Sequence, residues 1–353
     1  MLTDAVRTLV ISDLHLGSFL ERDVARRPAA LAILEEAVAA ADRLVLLGDT
    51  LELLEGRPRA AAAAARPVLR RLGAALGPGG EVVVVAGNHD HALVRPWLAA
   101  GLAAGRPLRP ATQLPRSASP ALAELAGWLA PARVEVRYPG VWLGDGVYAT
   151  HGHYSDRLLG AALRGRLGDP AGAGRARVSD FERAPGADAG GLEDTLATIL
   201  PDGVGDGLGE ALGTARRTLL GGLPLLASLP GARGVAAAAA LVMEQGVHRR
   251  GAIPAMAEVV RRLRLPAQHV VFGHIHRRGP LAEDPDGLWR PLGDAGPALW
   301  NSGSWVWDTA LIGPPGRVRP YRPGGAVALE DGSAPEVLDL LSGVPDRVLR
   351  GRI

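Results

Sequence analysis

Five times in this chain a run of apolar, β-favouring residues stops abruptly at a short string of glycine, histidine, aspartate and asparagine. The stretches are "TLVISDLH", "LVLLGD", "VVVVAGNHDH", "VYATHGH" and "VVFGHIH". Short apolar runs bounded by such clusters read as buried strands. Repetition of the pattern constrains the chain to a sheet whose strands all carry polar groups out at one edge. Of the nine histidines, only His248 and His269 lie outside these strings; His15, His89, His91, His151, His153, His274 and His276 lie within them. Side chains leaving the carboxyl ends of neighbouring strands meet in one crevice, the place where open α/β sheets bind ligands.

Strands are expected at Leu9–Ile11, Leu44–Leu47 and Val82–Val85. Between them, "PAALAILEEAVAAAD" and the stretch from Ala60 to Leu76 have helical spacing, so this part reads βαβαβ with parallel strands. After Pro131, the runs "RVEVRY", "GVWLGD" and "GVYATHGH" read as an antiparallel meander. Residues 154 to about 265 are rich in Ala, Leu, Gly and Arg and read as a mainly helical insertion. Strand texture returns at "AQHVVFGHIH", "ALWNSGSWVWD" and "GGAVALED". The expected organisation is one α/β domain over residues 1–330, interrupted by the insertion at 154–265, then a short C-terminal helix and tail over 331–353.

Composition removes several chemistries. The chain has 353 residues, no cysteine and no lysine, which excludes thiolate catalysis, zinc ribbons, Schiff bases and the Walker lysine. Cysteine-free sequence suits a reducing cytoplasm, the expected location. A net charge of +2 gives no concentrated basic groove, so nucleic acid is not the expected partner. No secretory signal is expected from "MLTDAVRTLVISD". The apolar stretch at 219–242 contains two prolines and Arg233, so no transmembrane span is expected, while peripheral contact with a membrane stays open.

Imidazole, carboxylate and amide without thiolate suit borderline divalent ions such as manganese, iron, zinc or cobalt. The spacings D-x-H and H-x-H put two ligands on adjacent sides of one turn. So many candidate ligands exceed the three or four that a single zinc takes, and two ions are the expected number.

Taken in order, "SDLHLG", "LLGDTLEL", "AGNHD", "THGH" and "FGHIH" resemble the calcineurin-like metallophosphoesterase superfamily, from about residue 8 to 307 apart from the insertion. The resemblance implies an αββα sandwich, two mixed sheets flanked by helices. It also implies that Asp13, His15 and His276 hold one metal, Asn88, His151 and His274 hold the other, and Asp49 bridges them. His89 would then face the substrate phosphate as a catalytic acid, with Asp90 orienting its ring. A water activated by two ions attacks phosphorus in line, so the implied activity is hydrolysis of a phosphomonoester, phosphodiester or pyrophosphate in a small substrate, nucleotide- or lipid-linked. The string "GDTLELL" departs from the G-D-x-x-D-R-G of protein serine/threonine phosphatases. "SDLHLG" and "GDTLEL", with an insertion after "HG", look like bacterial UDP-2,3-diacylglucosamine hydrolases, although G-N-H-D and H-G-H replace their usual G-N-R-D and H-G-D. Against the alternative of a non-catalytic protein-binding scaffold stands the presence of His89 and every implied ligand.

Arg157, Arg164 and Arg166 follow the fourth string, and their guanidinium forks suit a phosphate, though a solvated helical face accounts for them equally. His153, two positions after an implied ligand, is a further candidate for substrate contact. Glu52, three residues after Asp49, reads either as a carboxylate supporting the ligands or, more readily, as one in the first turn of a helix; His91 reads as a surface or helix-start residue, and Asn301 as a turn residue in a segment that in the resembled family packs near the site. Trp300, Trp305 and Trp307 read as core.

Overall fold

The computed structural model describes residues 6–18, 21–54, 57–144, 146–159, 174–183 and 251–351. The three expected strands form as β1 (Arg7–Ile11), β2 (Arg43–Leu47) and β3 (Glu81–Val85), parallel and adjacent, joined by α1 (Pro28–Ala39) and α2 (Pro58–Leu76). Both helices begin on proline, whose fixed φ suits the first turn. Alanine and leucine then sustain them, and α1 buries Ala30, Leu31, Leu34 and Val38 at helical spacing. Gly77 ends α2 at φ 75°, a conformation that glycine adopts without strain.

Alternation along the strands divides the core in two. Leu9, Ile11, Leu44, Leu46, Val82 and Val84 share a cluster with Leu31, Leu34, Val68, Leu69 and Leu72 of the helices. On the other face, Val10, Val45, Leu47, Val83 and Val85 meet Val141, Leu143, Val147, Ala149 and Val271. Strands covered on both faces read as unbroken apolar runs, which is why they stand out in sequence.

The remaining strands are β4 (Ala111–Leu114), β5 (Arg133–Gly144), β6 (Val147–Thr150), β7 (His269–Phe272), β8 (Ala298–Asn301), β9 (Gly325–Glu330) and β10 (Glu336–Asp339). Their order is β10-β9-β1-β2-β3-β5-β6-β7-β8, with β4 also on β5. Helices α3 (Arg95–Ala103) and α4 (Pro120–Trp128) precede and follow β4.

Two expectations need correction. The meander begins one strand late, because "RVEVRY" and "GVWLG" form the single strand β5. Its first residues pair with β3 in parallel, Val136–Pro139 pair with β4, and Gly140–Gly144 pair with β6. The exchange happens at Pro139-Gly140: proline has no N–H for a ladder, and a Cβ on Gly140 would stand 2.4 Å from the Ala149 carbonyl oxygen. The C-terminal part is likewise more than a helix and tail. Glu336–Asp339 pairs antiparallel with β9, and the short helix Asp346–Leu349 comes after it.

The chain divides into two units, one of residues 1–152, 177–179 and 265–353, the other of residues 153–176 and 180–264. In the second unit, described residues include the 3-10 stretch His153–Leu158 and a helix at 251–263. There Tyr154 stacks on Phe181 with centroids 4.9 Å apart, and Glu258 takes both Arg261 and Arg262. Arg164, Arg166, His248 and the apolar stretch at 219–242 lie outside the described residues. Among the described residues, no helix is long and apolar enough to cross a membrane.

Candidate metal centre

All the implied ligands sit at the carboxyl ends of strands in the first unit. Asp13 and His15 follow β1, Asp49 follows β2, Asn88 and His89 follow β3, His151 follows β6, and His274 and His276 follow β7. The loops are stitched together by the backbone: Asp13 N–H donates to Gly48 O at 3.1 Å and His15 N–H to Asp49 O at 2.8 Å. The His274 amide donates to Asp13 Oδ2 at 3.0 Å.

Five of these residues hold left-handed backbone: Asp13 at φ 54°, His15 at 44°, Asp49 at 51°, His274 at 69° and His276 at 55°. Among the described non-glycine residues, only Glu21 and Arg264 join them. Such geometry costs roughly 1–3 kcal/mol per residue and persists where surrounding contacts impose it. The motif glycines are what those contacts require. A Cβ on Gly48 would stand 2.3 Å from His151 Nδ1, one on Gly87 2.2 Å from Asp49 Oδ1, and one on Gly273 2.5 Å from Asp13 Oδ2.

The donor atoms form two adjoining groups. In the first, His276 Nε2 is 3.2 Å from Asp13 Oδ1 and 3.2 Å from His15 Nε2. In the second, His151 Nε2 is 3.1 Å from Asp49 Oδ2 and 3.1 Å from Asn88 Oδ1, with a nitrogen of His274 also within 4.8 Å of the Asp49 and His151 atoms. Asp49 Oδ2 is also 3.7 Å from His15 Nε2, so its carboxylate stands between the groups.

The outer ring nitrogens of two of these histidines face acceptors. His15 Nδ1 lies 2.9 Å from Glu52 Oε2, and His151 Nδ1 lies 3.0 Å from the Leu47 carbonyl oxygen. Both partners accept, so Nε2 is the atom each ring would present to an ion, the arrangement found around metal-bound histidine. Burial alone would lower the His151 pKa, but Asp49 outweighs it and raises the group to about 10. A divalent ion competes with that proton for Nε2. The buried, inward-facing set of imidazole, carboxylate and amide fits such ions.

A model of the calcineurin-like phosphoesterases matches residues 6–183, half of the chain. The chain belongs to the calcineurin-like phosphoesterase family. No curated protein matches it. Membership makes this protein a phosphoric ester hydrolase that uses divalent metal. The match ends before β7, so what ties His274 and His276 to the other implied ligands is their geometry. It is a match to the family as a whole and supports no particular branch, UDP-2,3-diacylglucosamine hydrolases included.

The carboxylate on the His89 ring of this phosphoesterase is not the expected one. Glu52, 1% exposed, places Oε1 and Oε2 each 2.9 Å from His89 Nδ1 while it also meets His15. Nor does Glu52 open a helix: α2 starts only at Pro58. Burial would raise its pKa, but hydrogen bonds to His15 and His89 win and lower it. Asp90 instead turns to the backbone. Its Oδ1 accepts from Gly87 N–H at 2.7 Å and Asp49 N–H at 3.3 Å, its Oδ2 from Thr50 at 2.8 Å and Leu51 at 3.4 Å. Burial, then the Asp49 charge, push this carboxyl up to about 6 against the pull of the amides.

Further buried groups support Asp13 and the β7 loop. Ser12 Oγ bonds Asp13 Oδ2 and lies 2.7 Å from Ser302 Oγ. Asn301 is more than a turn residue: its Nδ2 donates to Gly273 O at 2.7 Å and its Oδ1 accepts from Gly303 N–H. The serine immediately before Asp13 and the "NSGS" string were the available signals. His91 is buried rather than on the surface, with its ring 5.7 Å from that of Tyr138, and it does begin a 3-10 turn. Trp305 and Trp307 are core, as expected, and Trp300 is partly buried. His153 and Arg157 belong to the second unit.

Proposed function

We propose that this phosphoesterase works with two divalent ions, manganese, iron, zinc or cobalt, and hydrolyses a phosphomonoester, phosphodiester or pyrophosphate bond in a small substrate. Asp13, His15 and His276 would hold one ion; Asn88, His151 and His274 would hold the other, and Asp49 would be shared. The observation that carries this is the position of the Asp49 carboxylate, 3.7 Å from His15 Nε2 and 3.1 Å from His151 Nε2.

When bound, the ions supply an acidified water and offset the phosphoryl charge. The chain's own residues do the rest. Glu52 keeps a proton on His89 Nδ1 and aligns the ring, whose side chain is 16% exposed. His89 would then serve the leaving oxygen through Nε2. Asp90 acts on catalysis through the backbone of the Gly87–His89 turn. His153 and Arg157 are assigned to the substrate only by their closeness in sequence to His151.

The test is hydrolysis of p-nitrophenyl phosphate, its bis-ester and a nucleotide diphosphate sugar by metal-loaded protein. Activity on at least one, lost in Asp49→Ala, is the expected result. In His89→Ala turnover should fall roughly 10²- to 10⁴-fold with the metals retained. If His89→Ala emptied the centre, the division between ligand and acid would be wrong.

A further inference from the structure

The β7 loop carries two ligands, and its first residue, Gly273, is clamped by Asn301 at 2.7 Å. Beyond the loop, the residue after His276 enters a different structure. Arg277 is 14% exposed, and its guanidinium forks onto the Asp284 carboxylate, with Nη1 3.2 Å from Oδ2 and Nη2 on Oδ1. The same carboxylate accepts from Leu281 N–H at 2.8 Å and from Trp289 Nε1–H at 2.7 Å. Arg277 also lies over the Trp289 ring, 5.3 Å from its centroid. That indole occupies the place a Cβ on Gly279 would need, 2.1 Å from it, and approaches Phe272 at the end of β7.

We infer that Asp284 is a positioning residue for His276, acting through Arg277. Fork and stacking together fix a guanidinium in direction as well as distance, and His276 is one peptide away, in left-handed backbone at φ 55°. Its side chain is 23% exposed, against 7% for His15 and 0% for His151, so it has the least packing of its own among these three rings. The neighbouring pin makes up for that deficit. It also commits the Arg277 charge to Asp284, which keeps an arginine next to a ligand from competing for Asp13.

The inference rests on the two-ion reading, and the experiment separates the two. Stripped protein is titrated with Mn²⁺, following bound metal by calorimetry and elemental analysis and ion pairing by electron paramagnetic resonance. Wild type and the exposed control Asp286→Asn should take up two coupled ions. Asp284→Asn should take up one with wild-type affinity and the other roughly 10- to 100-fold more weakly, as supporting residues around metals commonly do. His276→Ala should lose the same ion. Trp289→Phe, which removes one donor to Asp284 but keeps a ring, should weaken that ion by a smaller factor, and Asp284→Glu should restore part of the affinity. Two ions of unchanged affinity in folded Asp284→Asn, or equal weakening of both, overturns the role of Asp284. A wild type that binds no pair of ions overturns the two-ion reading instead.

Discussion

Glu52 grips His89 with both carboxylate oxygens, each 2.9 Å from the ring's Nδ1. The same side chain reaches His15 Nδ1 at 2.9 Å, so one buried anion orients an implied ligand and an implied acid together.

Glu52→Gln keeps the shape but gives one of the two rings an amide N–H in place of an acceptor. Turnover should fall and, in the same variant, metal affinity should drop roughly 10- to 100-fold. Steady-state kinetics with metal titration checks this. Lower turnover with unchanged metal affinity would confine Glu52 to His89.

Asp90→Asn meets four backbone N–H donors with a single acceptor oxygen and a competing NH₂ group. Leaving buried donors unsatisfied costs about 1–3 kcal/mol each. Denaturant melts of the stripped protein should show a loss of at least that size. A stability equal to wild type would mean that the amides find other partners.

Gly87→Ala tests the need for close approach, since its Cβ would stand 2.2 Å from Asp49 Oδ1 and 2.7 Å from His151 Nε2. Overpacking of this kind costs about 1–3 kcal/mol, and displacement of the shared Asp49 should impair binding of both ions. Metal analysis of the folded variant is the check, and full occupancy at wild-type affinity would refute it.

Asp346 ties the C-terminal helix to Arg319, through bonds at 2.6 and 3.0 Å, and to Arg322. The Arg319 hydrogen bond is the main cause of a pKa below the ordinary 3.8. Its folded pKa is depressed, so the contribution is present above the unfolded value and lost as pH falls through the folded one. Asp346→Asn should therefore melt lower than wild type at pH 7, and the gap should close as the pH is taken below 3.8. Thermal melts of stripped proteins across that window measure it; a gap independent of pH would show that packing, not charge, is responsible.

The gathering of the implied ligands was legible because each stands within four residues of a strand end, and an apolar run that stops on a polar string is a local signal. Glu52 was legible only as the lesser of two readings, because its work lies in contacts 37 positions away in either direction, at His15 and at His89. Asp90 sits beside His89 in sequence, yet its carboxylate answers to backbone amides that no side-chain pattern reveals. In the fold, the parallel strands announced themselves through burial on both faces. β5 did not, since a Pro-Gly pair that reads as a break marks a change of partner inside one strand. The four residues of β10 are too few for strand and helix periods to be told apart.

His15 and His276, whose ring nitrogens lie 3.2 Å apart, are separated by 261 positions of chain. A ribosome adding about 5–20 residues per second therefore makes the second of them on the order of 10 to 50 s after the first. During that interval the emerging polypeptide owns Asp13 and His15 but not the third member of their group. If these residues hold an ion as proposed, its full set of ligands would exist only once β7 has been made, and a product truncated before β7 lacks both histidines that β7 delivers.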